Sequence, residues 1–208
     1  MTTRREFLQA GIAVTGIPIA AGAFTTVDKP ALREGSAITV QPAALALYKA
    51  VFDERFPESV SFAAEMRRLG IAIHGIIGDM TDLWYSDLHP QWRKSPVAVA
   101  GLTAQGPLFC LERLAWDHGM RVVFRAEHQY RSDGCVEHAI SADKATFGDA
   151  AGLAASGSDW SAHVARLVRR CRPGRLENSS AIITPSGQPP RGDQERLVSW
   201  VIAPRVRS

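Results

Sequence analysis

Glu127-His128 and Glu137-His138 repeat one carboxylate–imidazole pair ten residues apart. A carboxylate bonded to one ring nitrogen fixes the tautomer, so the other nitrogen can move a proton as a general base. Ser132-Asp133-Gly134 lies between the two pairs, and Asp-Gly is a hairpin turn signal. Both pairs therefore belong to a hairpin over residues 121–141. A four-residue loop, 131–134, sets His128 opposite Glu137 and Glu127 opposite His138. A three-residue loop sets His128 opposite His138, an arrangement that could seat a metal. Cross-strand Glu/His pairs also stabilise ordinary hairpins, so the motif alone does not choose between chemistry and pairing.

A second group of candidates follows from the elements that would carry them. Apolar runs at Leu47–Phe52, Ile71–Ile77, Pro96–Leu102 and Arg121–Arg125 read as strands. Helical spacing follows Pro57, Thr81 and Gln105, and Gly70 and Gly119 stop two of those helices. Strands with few polar positions, joined by helices, predict an α/β fold: a single three-layer domain with a mostly parallel, Rossmann-like sheet. The hairpin and two C-terminal strands, Ala181–Thr184 and Leu197–Ala203, extend it.

Ligands of such sheets bind beyond the carboxyl ends of the strands. That edge gathers Asp53, Glu54 and Arg55, then Asp79, then Thr103 and Gln105, then Arg125, Glu127 and His128. The catalytic candidates are His128, Glu127, Asp53 and Asp79, with Glu127 orienting His128. Arg55, Thr103, Gln105 and Arg125 are the substrate-binding candidates, the arginines as bidentate donors to a carboxylate. Gly101 to Gly106 leads from strand to helix, where free N–H groups favour an anion. No G-x-G-x-x-G and no phosphate-loop lysine accompanies it. No metal site and no cofactor follow from these residues.

Residues 142–158, rich in Ala, Gly and Ser, read as a stretch that includes a mobile loop, and Ser158 or Asp159 as the cap of a helix striped with Trp160, Val164, Leu167, Val168 and Cys171. His74, in an apolar strand, reads as a core histidine. Cys110, within Leu108-Phe109-Cys110-Leu111, reads as a core residue, and Cys135 with Cys171 as the better disulfide candidates. Trp84, Tyr85, Trp92 and Trp116 could line an apolar pocket or a partner's docking surface, although two or three of them read as core.

The net charge of +3 and 22% charged residues exclude a polyanion-binding surface, so nucleic acid is not expected as a partner. The 46% hydrophobic content suffices for a core without disulfide staples.

Thr3-Arg4-Arg5-Glu6-Phe7-Leu8-Gln9, followed by an apolar run from Ala10 to Ala23, resembles a twin-arginine (Tat) export signal, with Ala21-Gly22-Ala23 as its cleavage site. The resemblance covers residues 1–23 and implies a periplasmic protein handled by the Tat translocation machinery and exported already folded. Residues 24–43 then form an N-terminal arm and 44–208 the domain. The apolar run is shorter than the about 20 residues of a membrane span, so no lasting span is expected.

Three functions compete. An accessory subunit or partner of an exported oxidoreductase fits the size, the folded-export signal and the weak catalytic motifs, and predicts an exposed aromatic patch. A stand-alone periplasmic hydrolase or lyase acting on a small carboxylic acid would use the edge residues with His128. A ligand-binding module without catalysis is the third.

Overall fold

The computed structural model describes residues 43–174, 176, 178–185 and 196–205. The signal, the arm up to residue 42 and most of the Pro185–Asp193 loop lie outside the described residues. Seven strands form one mixed sheet in the order β2-β1-β3-β7-β4-β5-β6. Strand β1 (Leu47–Asp53) pairs in parallel with β2 (Ile73–Ile76) and β3 (Ala98–Ala104). Helix α1 (Pro57–Arg68) connects β1 to β2, with Pro57 in the first turn, where its missing N–H is not needed.

Beyond β3 the sheet departs from the parallel expectation. Strand β4 (Met120–Tyr130) does not pair with β3. Strand β7 (Leu197–Pro204) enters between them, antiparallel to both. The cause lies in β7 itself. Residues 197–203 are all buried, and a strand apolar on both faces belongs in the interior of a sheet. Strands β5 (Cys135–Ala142) and β6 (Asn178–Pro185) complete the antiparallel side.

Two clusters of buried side chains use alternate residues of the strands. One joins Ala98, Ala100 and Leu102 of β3 to Phe62 and Met66 of α1 and to Trp160, Val164 and Val168 of α6 (Trp160–Arg169). The other joins Val99, Trp200 and Ile202 to Leu108 and Leu111 of α4 (Gln105–Trp116) and to Leu83 and Trp92. Gly101 belongs to the second face for a steric reason. It pairs with Trp200, and a Cβ at this position would lie 2.4 Å from the indole and 2.9 Å from the Val51 carbonyl.

The helix expected from Thr81 forms in three pieces: α2 (Thr81–Leu83), a π-helical turn (Trp84–Leu88) and α3 (His89–Lys94). Residues 142–158, expected to include a loop, are mostly short helical turns. Asp143 accepts from the Ala145 and Thr146 amides and caps α5 (Lys144–Asp149). Two 3₁₀ turns, Ala150–Ala155 and Gly157–Asp159, then lead into α6. Asp159 is the N-cap residue of α6, but its side chain makes no capping bond.

Cys110 is exposed, because α4 buries Pro107, Leu108, Leu111 and Ala115 and position 110 falls off that stripe. All three cysteines are free, so Cys135 and Cys171 form no disulfide here. Trp84 and Trp92 are buried, while Tyr85 and Trp116 are exposed. Among the described residues no helix is long and apolar enough to cross a membrane.

Candidate functional site

The hairpin turns through a three-residue loop. Arg131 N–H donates to the Cys135 carbonyl, and Gly134 takes φ 77°, which glycine adopts without strain. His128 is therefore paired with His138, and Glu127 with Ala139. The two imidazoles meet Nδ1 to Nδ1 at 2.6 Å, and His128 Nε2 lies 2.8 Å from Ser199 Oγ on β7. Both rings are buried against Trp160, with centroids 4.5 and 5.1 Å from its own. Burial lowers the His128 pKa well below the ordinary histidine value, and that of His138 to about 4. The pair is neutral near neutral pH. It sits in the core, and among the described residues His138 Nε2 has no partner.

Glu127 does not orient His128. Neighbouring residues of a strand point to opposite faces, and Glu127 instead accepts from Arg125 at 2.9 Å. The same Arg125 nitrogen donates to Gln105 Oε1 at 3.0 Å. Arg125, Glu127 and Gln105 thus come together, while the sheet separates them from the histidines.

The remaining candidates divide between structural duties and a real cleft. Asp53 is buried and takes a two-pronged grip from Arg55, Nε to Oδ1 at 2.9 Å and Nη2 to Oδ2 at 2.8 Å. That fork is committed within the protein. Thr103 is buried; it accepts from Trp200 Nε1 at 3.1 Å and donates to the Ala104 carbonyl. It is held inside the second core cluster, away from solvent. Asp79 is exposed, and its Oδ1 accepts from the amide and hydroxyl of Thr81. Those bonds, the hydroxyl first, hold its carboxyl below the usual range.

Asp79 opens onto a cleft of about 390 Å³ between residues 78–85 and α4. Trp84, Tyr85, Phe109 and Leu114 supply apolar wall, and Cys110 also lines it. Of the eight sequence-selected residues only Asp79 lines this cleft. Trp84 and Tyr85, read from the sequence as aromatics that could line an apolar pocket, are among the side chains that build it, whereas Phe109, Cys110 and Leu114 were not singled out for it. Phe109, Arg113 and Trp116 fall at i, i+4 and i+7, one outward stripe on α4 of which Phe109 alone reaches the cleft. The Arg113 guanidinium lies 5.2 Å from the Phe109 ring centroid and 4.4 Å from that of Trp116; Arg121 lies 5.8 Å from the latter.

A further polar cluster joins β1 to the π-helical turn. Asp87 accepts from Lys49 and, at 2.7 Å, from the Tyr48 hydroxyl. Burial opposes ionisation of Asp87, yet these bonds keep its carboxyl below the usual value. His74, partly buried nearby, is shifted downward by burial and then by Lys49. No group of three or more His, Cys, Asp or Glu able to hold a metal occurs among the described residues.

No family model, no curated protein and no solved structure matches this chain.

Proposed function

We propose that this chain is an exported periplasmic α/β protein that serves as an accessory subunit or partner of an exported oxidoreductase. The observation that carries the reading is the outward stripe of α4. Phe109 and Trp116 are 52% and 42% exposed, and Arg113 lies over both rings. Aromatic residues and arginine dominate the binding energy of protein interfaces. Among the described residues neither Arg113 nor Arg121 forms an ion pair. The stripe therefore fits a partner that presents carboxylates beside apolar side chains.

The export half of the reading rests on the Arg4-Arg5 motif and the run to Ala23. A three-layer, Rossmann-like arrangement belongs to the same proposal and is supported by the two core clusters on alternate strand residues. A catalytic reading through His128 has less support. A general base needs access to its substrate, and both histidines are buried.

Native mass spectrometry of the chain purified from the periplasm of its own host tests the proposal. The expected species is a mature chain beginning near Phe24, bound stoichiometrically to a redox enzyme chain. The complex should dissociate in an Arg113→Glu variant whose fold is intact. A bare mature chain overturns the accessory role. Export that continues after Arg4→Lys with Arg5→Lys overturns the twin-arginine assignment.

A further inference from the structure

We infer that the cleft between α2 and α4 binds a small organic amine, a protonated nitrogen carried on an aromatic or apolar body. The volume of about 390 Å³ lies in the range of small-molecule sites. Three aromatic side chains, Trp84, Tyr85 and Phe109, line it, and Met80 and Leu114 add aliphatic wall. Aromatic faces attract cations as well as apolar bodies.

The charge of the lining selects the ligand class. Among the described residues Asp79 is the one charged residue that lines the cleft, and no lysine or arginine does so. A carboxylate ligand would meet a like charge, and a neutral one would leave Asp79 uncompensated. The guanidinium of Arg55 packs against Gly78, where a Cβ would lie 2.9 Å from it. Its Nε and Nη2 are bonded to Asp53, so this cation is already balanced and does not reverse the sign of the site. The Thr81 amide and hydroxyl both bond Oδ1, which fixes the orientation of the Asp79 carboxylate at the cleft wall. This inference rests on the cleft alone and stands independently of the partner reading.

Isothermal titration of the full chain with tryptamine, its neutral isostere tryptophol and indole-3-acetate tests it without any partner present. Tryptamine should bind most tightly, by about threefold to tenfold over tryptophol, the range expected of one exposed ion pair with a cation–π contact. Indole-3-acetate should bind most weakly. Asp79→Asn should erase the ranking and leave the residual affinities equal. Asparagine keeps a side-chain oxygen that can accept from the Thr81 amide and hydroxyl, so that variant keeps the local fold. Tyr85→Ala should weaken all three ligands together. Equal binding of amine and alcohol, tighter binding of the acid, or no heat from any of them up to about 10 mM would each overturn the site. A ranking that survives Asp79→Asn would overturn the role given to Asp79. The wild-type ranking decides the matter even if a variant misfolds.

Discussion

His128 and His138 share one hydrogen bond, Nδ1 to Nδ1 at 2.6 Å, across the β4–β5 ladder. Such a bond needs one protonated and one bare nitrogen. With His138 as donor, His128 carries its proton on Nε2 and donates it to Ser199 Oγ. His138 Nε2 is then a bare acceptor, and a buried lone pair without a partner costs less than a buried N–H without one. A further proton would place a charge in the core.

Acid should therefore destabilise the protein above the range of ordinary carboxylates. The folded pKa of both histidines is depressed, so between that value and the unfolded value near 6.5 the unfolded chain binds more protons. Stability is full above about pH 6.5 and falls with acid, by at most roughly 1.4 kcal/mol per pH unit per histidine. For His138 alone the window to about pH 4 amounts to roughly 3 kcal/mol. His74 and His163 are shifted the same way, chiefly by burial, and add the same sign. The measurement is urea denaturation from pH 4 to 8, in wild type and in His128→Leu/His138→Leu. The double variant should show the shallower dependence; identical slopes would refute the assignment.

Ser199→Ala should cost about 1 kcal/mol, the net value of one buried hydrogen bond. His128→Ala should cost more, roughly 2–4 kcal/mol. It leaves a cavity beside Trp160 and strands the His138 nitrogen that faced it. Denaturant midpoints order the two variants, and a larger loss at Ser199 would show that the hydroxyl carries something beyond this bond.

The hairpin was legible because Asp133-Gly134 has one dominant structural meaning. Its register was open only while the turn was considered by itself. Phe124, Ala126, Val136 and Ile140 share one core cluster, and that period-two pattern admits only the register pairing Ala126 with Ile140 and His128 with His138. The place of β7 was harder to read. Nothing local to Leu197–Pro204 states that it inserts between β3 and β4, whose chain neighbours are far away; only its burial on both faces pointed inward. Of the candidate site residues, Asp79 is the one that lines the cleft. The internal partners of Arg55, Thr103 and Arg125 were not legible, because charge and hydroxyl chemistry are equally useful inside a protein, here to Asp53, Trp200 and Glu127 respectively.

Gly101→Ala should be more costly than the removal of a methylene from the core. The added Cβ meets the Trp200 ring and the Val51 carbonyl at once, one of them backbone. Overpacking of this kind costs about 1–3 kcal/mol. Displacement of the indole would also break its bond to Thr103, so tryptophan emission should shift along with the melting temperature. A variant as stable as wild type would mean that the sheet relaxes to admit the methyl group.

The three thiols should react in an order set by exposure rather than by position in the chain. Cys110 is exposed on α4, Cys135 is half-buried at the start of β5, and Cys171 is buried behind α6. Thiolate is the reactive form, and burial pushes the Cys171 thiol far above its ordinary value. Burial and then the Asp133 charge raise Cys135 as well. A disulfide reagent added to native protein should thus modify Cys110 first and Cys135 more slowly. Cys171 should be modified only as fast as the protein unfolds. Because Cys110 lines the cleft, saturating tryptamine should slow its modification while leaving Cys135 unchanged. Peptide mass mapping over time reads both effects, and prompt labelling of Cys171 in native protein would contradict the packing of α6 against the sheet.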